Sequence, residues 1–381
     1  MRVALDGSFL KLPPSGTGSY VRAMIDTLPT VDPQLDLRVL KPDWGERSGQ
    51  GQGRLAAIRG DQRLRRAAWE LSGVRQAAQS VHADLLHIPH FSAPLRGAEP
   101  LIVTIHDVIP LVLPDYRASR AMRAHLAIVR RTVRRARLVL TPSRAAANDI
   151  ERVLGIRPER IRVTPEAAGP EYQPAANRAA IRPHLKRLGI GGRYMFNVGG
   201  LDVRKNIPVL LAAFAQARPD LSEPVQLVIA GSAHSGNPVV FPPLEPEIRR
   251  LGLEDLVVLP GRVSEEDKIA LYQAADLYVT PSLYEGFGLT ALEAMASGVP
   301  VIAANRTSLP EVVGDAGLLV EPEDLALAAA MTRVLNSPTL ADDLRQRGLA
   351  RASTFSWRRT AELTIAAYHE ALAMDPSVGR T

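Results

Sequence analysis

Twelve short apolar runs, each followed by a longer stretch with helical spacing, constrain this chain more than any other feature. In the first half they fall at 3–5, 37–40, 84–88, 101–105, 138–141 and 161–164. In the second half they fall at 194–198, 226–230, 256–259, 277–280, 299–303 and 317–320. The runs are apolar almost without interruption, so strands made from them must be covered on both faces. Such strands, separated by helices, build parallel α/β sheets. The chain has 381 residues, more than one core usually covers. Two series of runs therefore predict two doubly wound domains.

The stretch 166–180, with Gly169, Pro170 and Pro174 and no periodicity, reads as the linker between them. Residues 43–53, rich in Gly and polar side chains, read as a mobile loop, and 360–374 as a helix. Cysteine is absent, which excludes disulfides, thiolate nucleophiles and Cys metal sites and fits a reducing compartment. The opening apolar run is too short for a signal peptide and is broken by Asp6. No run of 18 apolar residues is present, so no membrane span is expected.

Ligands of doubly wound sheets bind beyond the carboxyl ends of the strands, so the polar residues there carry the functional reading. After the first strand, Gly16-Thr17-Gly18 opens a helix, which suits either close approach to an anionic ligand or a plain tight turn. It is not a dinucleotide G-x-G-x-x-G, because no third glycine follows. His106 and Asp107 directly follow a strand, as cleft residues or as a satisfied structural pair. Gly199 and Gly200 end a strand ahead of Arg204 and Lys205. Small residues plus two cations suit a diphosphate, and a solvated charged turn is the alternative.

The stretch 282–298, SLYEGFGLTALEAMASG, is the most specific. Its helix is apolar almost all round, yet Glu293 sits in the middle and Glu285 stands eight residues earlier, before Gly286-Phe287-Gly288. Glutamate is rarely buried without a partner. Backbone N–H groups at the helix start favour an anion, and a carboxylate can hold vicinal hydroxyls. The spacing suggests phosphate between two sugars, one at each glutamate. A purely structural Glu293 is the alternative.

The segments SGTGSYV, VTIHDVIP, VGGLDVRKN and EGFGLTALEAMASG, with their E-x₇-E, together resemble the retaining glycosyltransferases called family 4, over nearly the whole chain. The resemblance implies a GT-B fold: two Rossmann-like domains facing a central cleft, with a C-terminal helix crossing back to the first. The implied bounds are 1–168 for an acceptor-side domain, 169–356 for a donor-binding domain and 357–381 for the returning helix, which Trp357 would begin.

It also implies roles. Gly16 and Gly18 would lie near donor phosphates and acceptor, and His106 near the donor sugar. Arg204 and Lys205 would neutralise the diphosphate beside Gly199 and Gly200. Glu285 would hold the transferred sugar, aided by Gly286, Phe287 and Gly288. Leu289 and Thr290 would offer N–H groups to phosphate, and Glu293 would hold the ribose. Catalysis would rest on His106, Glu285, Arg204 and Lys205, by a front-face route rather than through Glu285 as a covalent nucleophile.

No D-x-D sequence occurs, and the family implies neither metal nor cofactor beyond a nucleotide diphosphate sugar as co-substrate. HDVIPLVLPDYR is similar to bacterial mannosyltransferases of polysaccharide assembly, which makes GDP-mannose the first donor to consider. Acceptors would be glycans or lipid-linked glycans, and no nucleic acid is expected. Competing readings are an epimerase or hydrolase of the same fold, an NAD-dependent oxidoreductase, and a non-catalytic nucleotide- or glycan-binding subunit.

Charge is uneven. Residues 1–165 hold 26 Lys and Arg against 15 Asp and Glu, a balance of +11, and the remainder balances at −5. Eight arginines fall between 117 and 137. They read as a face for an anionic membrane surface, or as compositional bias on a solvated helix. The expected location is cytoplasmic, with peripheral attachment to the inner face of the membrane as the further option.

Overall fold

A computed structural model describes residues 1–12, 15–42, 62–97, 100–117, 120–232 and 237–375. The expected loop at 43–53 lies outside the described residues. The chain separates into two compact units: Met1–Pro165 with Trp357–Thr381, and Glu166–Ser356. The change of unit at 165/166 stands three residues before the expected bound, and Trp357 opens the segment that returns to the first unit.

Unit 1 holds a six-stranded parallel sheet: β1 (Arg2–Asp6), β2 (Asp36–Leu40), β3 (Leu85–Ile88), β4 (Leu101–Thr104), β5 (Leu138–Thr141) and β6 (Ile161–Val163), in the order β2-β1-β3-β4-β5-β6. Alternate residues of each strand face opposite layers, which explains the unbroken apolar runs. Val3, Leu5, Ile102, Leu138 and Leu140 pack with Tyr20, Met24 and Leu28 of helix α1 (Gly16–Val31). Ala4, Leu86, Val103 and Val139 face Val129 and Val133 of helix α2 (Arg120–Val133).

Unit 2 repeats the plan with β7 (Arg193–Val198), β8 (Val225–Ala230), β9 (Val257–Gly261), β10 (Leu277–Thr280), β11 (Val301–Ala304) and β12 (Leu318–Val320), ordered β12-β11-β10-β7-β8-β9. Its helices include α3 (Ile207–Ala217), α4 (Glu265–Ala274) and α5 (Leu289–Ala296). The strand order reverses between β7 and β10, the position where doubly wound sheets open a crevice for a ligand.

The last helix, α6 (Trp357–Ala373), belongs to unit 1 and buries Ala361, Tyr368 and Ala371 with the β1 face. Arg137 closes its C-terminus: its guanidinium, 8% exposed, donates to the carbonyls of Ala371 (2.7 Å) and Met374 (3.3 Å). Cations favour that end of a helix. The chain's Arg-rich stretch is therefore only partly a charged face. Arg134 donates to the Leu154 carbonyl and Arg135 to those of Pro94 and Gly97, so these arginines staple backbone carbonyls. Arg120, Arg123, Arg130 and Arg131 are exposed on α2, and Arg134 is exposed just beyond its end.

Candidate functional site

The residues singled out in unit 2 converge at its switch point. Gly199 and Gly200 follow β7, Arg204 and Lys205 lie in a 3₁₀ turn before α3, and Glu285 to Gly288 lie between β10 and α5. Gly199 has φ +152°, and a Cβ there would stand 2.8 Å from Lys205 Cε, so the bare glycine leaves room for the lysine stem. Gly288 has φ +106° at the N-cap of α5, where a Cβ would meet Leu309 at 2.9 Å. These two positions need glycine for stated physical reasons. Gly16 and Gly18 open helix α1, as their sequence suggested, and lie in its first turn, capped by the Ser15 hydroxyl, which accepts from the Gly18 N–H at 3.2 Å.

Glu285 is clamped. Its Oε2 accepts from Arg204 Nη1 at 2.7 Å and its Oε1 from Lys205 Nζ at 2.6 Å, with the three side chains 12%, 13% and 6% exposed. Burial alone would push this carboxyl up. Arg204, Lys205 and a Ser282 hydrogen bond outweigh it and hold Glu285 down at about 2. Its backbone is fixed as well: its N–H donates to Thr307 Oγ1 at 2.9 Å, and its carbonyl accepts from the Ser308 hydroxyl at 2.9 Å. Thr307 itself holds φ +49°, an uncommon conformation for a branched residue. Asp202 adds a second carboxylate to Arg204 at 3.2 Å. The expected diphosphate cations and the expected sugar-holding glutamate are thus partners of one another.

Glu293 is 5% exposed on α5 and also has protein partners. Its Oε1 lies 3.2 Å from Lys268 Nζ, and its Oε2 lies 3.0 Å from the Tyr272 hydroxyl, both on α4. Burial pushes this carboxyl up and prevails over Lys268 and Tyr272. One carboxyl is shifted down and the other up, eight residues apart on one loop and helix. Phe287 is buried against Phe355, ring centroids 5.8 Å apart, so its side chain serves the core and only its main chain could serve a ligand. Sequence reading missed Asp202, Ser282, Lys268, Tyr272, Thr307 and Ser308. Lys268 was marked by being one of five lysines in the chain.

In unit 1, His106 follows β4, its Nε2 3.1 Å from the Pro89 carbonyl and its ring edge-on to Tyr20 at 4.9 Å. It lines a cavity of about 540 Å³ with Phe9, Thr17, Arg66, Glu70, His90, Phe91, Asp107 and other residues. Asp107 Oδ1 accepts from the Ile109 N–H at 3.0 Å. Asp6, fully buried, accepts three hydrogen bonds: Oδ1 from the Ser8 N–H (2.9 Å) and Trp69 Nε1–H (3.0 Å), and Oδ2 from His90 Nε2 (3.0 Å). Burial opposes its charge, but His90, Ser8 and Trp69 hold its carboxyl below the usual range. This Asp6–His90 pair went unread because its members lie 84 residues apart. The same strand-end reasoning that found His106 would have reached His90, just past β3.

Among the described residues no group of three or more His, Asp or Glu is placed to hold a metal ion, and no helix is long and apolar enough to cross a membrane.

Comparison with known proteins agrees with the motif order. The family model described as Glycosyl transferases group 1 matches residues 185–351, and that described as Glycosyltransferase Family 4 matches residues 14–170. The O-antigen chain mannosyltransferase B of Escherichia coli is 32% identical over 351 residues, covering 91% of this chain and 88% of its own length. The MMP alpha-(1->4)-mannosyltransferase of Mycolicibacterium hassiacum is 33% identical over 324 residues, 81% of this chain and 74% of its own. Among solved structures, sucrose-phosphate synthase from Thermosynechococcus elongatus aligns with a TM-score of 0.73 at 23% identity, covering 98% of this chain and 99% of that one. Anabaena Alr3699/HepE in complex with UDP and glucose aligns with a TM-score of 0.72 at 21% identity, covering 97% and 100%. These two likenesses establish the fold.

Proposed function

The chain belongs to the family 4 glycosyltransferases of the GT-B fold, and from that premise we propose that it is a retaining, metal-independent mannosyltransferase acting from GDP-mannose on a glycan or lipid-linked glycan hydroxyl. The observation that carries this reading is the buried E-x₇-E pair at the switch point of unit 2, with Arg204 and Lys205 on the first glutamate. Mannose as the transferred sugar is supported by the names of the two relatives above.

In this reading Glu293 recognises ribose hydroxyls, and Arg204 and Lys205 meet the diphosphate with the N–H groups of Leu289 and Thr290. Glu285 faces the sugar, where a held carboxylate favours the positive charge that grows as the bond to phosphate breaks. The sugar–phosphate bond breaks, the bond to the acceptor oxygen forms on the same face, and the acceptor proton passes to the departing phosphate. His106, Gly16 and Gly18 keep the roles that the family pattern assigns them.

We further propose that helix α2 meets an anionic membrane surface. Its buried side is Leu126, Val129 and Val133, with Met122 on the same stripe lining the cavity, while Ile128, 41% exposed, stands away from that side, as do Arg120, Arg123, Arg130 and Arg131. Arginine beside an exposed apolar group suits an anionic lipid surface. Sedimentation with anionic and neutral vesicles at two salt levels tests it, and equal failure to bind either rejects it.

The transfer reading is tested by titrating nucleoside diphosphates into wild type and Arg204→Ala. Loss of a shielded charge-assisted contact should weaken binding by about one to two decades. Equal affinities would remove Arg204 from the diphosphate site.

A further inference from the structure

The structure assigns His90 a part in acceptor recognition. We propose that its Nδ1 takes a hydrogen bond from a sugar hydroxyl bound in the cavity of unit 1, and that Asp6 fixes the imidazole tautomer that makes this possible. The inference rests on the transferase reading above.

Placement comes first. The cavity wall is built from residues beyond the carboxyl ends of three neighbouring strands: Phe9 after β1, His90 and Phe91 after β3, His106 and Asp107 after β4. The strand order of this sheet turns between β1 and β3, the crevice position of a doubly wound sheet. Asp6 and His90 stand on the two sides of that turning point.

The tautomer follows from the partners of Asp6. The Ser8 N–H, the Trp69 Nε1–H and the His90 ring all approach this buried carboxylate, which can only accept. His90 Nε2 must therefore carry a proton, and in the neutral ring Nδ1 is left with its lone pair. Among the described residues Nδ1 has no hydrogen-bond partner, on a ring that is 5% exposed and lines the cavity. A lone pair so placed accepts from O–H or N–H groups.

The rest of the wall selects the class of ligand. Beside His90, His106 and His125, its other ionisable residues are Arg66, paired to Glu70 at 2.6 Å, and Asp107, so among the described residues its lining has no lysine and no arginine without a carboxylate partner to favour a phosphate. Arg66 is further engaged over the Phe9 ring at 5.0 Å. Phe91 adds an apolar ring to the wall, of the kind that meets the C–H side of a pyranose. The fitting ligand is a neutral, polyhydroxylated sugar at the acceptor end. His90 would touch it, and Asp6 is a positioning residue.

The test uses two amide variants. His90→Gln keeps an N–H for Asp6 but has no acceptor where Nδ1 was. His90→Asn puts an amide oxygen near that place and lets go of Asp6. With GDP-mannose as donor and methyl α-mannoside as the acceptor probe, the Gln variant should raise acceptor KM by about tenfold, the size of one neutral hydrogen bond. It should leave GDP affinity, acceptor-free donor hydrolysis and melting temperature close to wild type, and Asn should recover part of the loss. Asp6→Asn, which can turn Nδ1 into a donor, should show the same rise in KM. An unchanged acceptor KM in a folded Gln variant overturns the proposal, as does an equal fall in GDP binding. If wild type transfers nothing from any nucleotide sugar, the transferase reading fails instead. Imidazole nitrogen NMR then decides: a His90 Nδ1 resonance that moves on adding methyl α-mannoside supports the assignment, and one that stays fixed overturns it.

Discussion

Replacing Glu285 by Gln should weaken the empty protein and strengthen its hold on a diphosphate. The carboxyl is held at about 2 against an ordinary value of 4.5, at 12% exposure. That difference corresponds to about 3 kcal/mol of folded-state stabilisation. The folded value is depressed, so this stability is present above about pH 4.5 and is lost as pH falls towards 2. In Glu285→Gln, Arg204 keeps Asp202, but Lys205 keeps no ion-pair partner among the described residues and remains 6% exposed. Uncompensated buried charge is costly. For a unit of this size, melting should fall by about 6 to 12 °C at neutral pH, with a flatter acid limb. The freed cations should then bind GDP or pyrophosphate up to about tenfold more tightly, because the anion no longer displaces a carboxylate. Turnover should nonetheless drop by about 10²-fold, since the charge beside the sugar is gone. Scanning calorimetry with and without GDP measures the first two effects, and initial rates the third. A variant that melts with wild type, or gains nothing more from GDP than wild type does, would refute the clamp.

Lys268→Met leaves Glu293 with only Tyr272 among the described residues and should destabilise unit 2 by about 2 to 3 kcal/mol, read as a lower denaturant midpoint at unchanged slope. His87 is fully buried between Tyr368 (2.7 Å) and Thr104 (2.8 Å), and burial, then His106, push it down to about 3. Since its folded value lies below the ordinary 6.5, unit 1 should lose about 1.4 kcal/mol per pH unit from about 6 towards 3, a dependence that His87→Gln should remove in pH-dependent unfolding curves. Arg137→Ala frees the terminal carbonyls of α6 and should cost unit 1 about 2 kcal/mol, with hydrogen exchange rising first in the last turn of α6.

The twelve strands of the described residues were legible in the sequence, because both faces of each sheet are covered and the apolar runs that this demands are local. The ends were less so: Val299 and Pro300 are apolar and buried, yet β11 begins at Val301, since burial marks a strand without marking its first hydrogen bond. The loop chemistry was half legible. Glycines and cations after β7 and β10 stand out locally, but that Arg204 and Lys205 grip Glu285 depends on residues 80 apart. Gly-Thr-Gly reads as opening a helix and does, with Ser15, which sequence reading did not single out, as its cap. The arginine run misled in part, since nothing in sequence separates a guanidinium facing solvent from one that satisfies buried carbonyls.

The most direct test of the central claim is an NMR time course of GDP-mannose with a mannose-terminated oligosaccharide in the presence of a metal chelator. The account predicts transfer to the oligosaccharide with the first-formed product carrying the α-anomeric configuration of the donor. Product that first forms as the β-anomer, or transfer that stops on chelation, would contradict it.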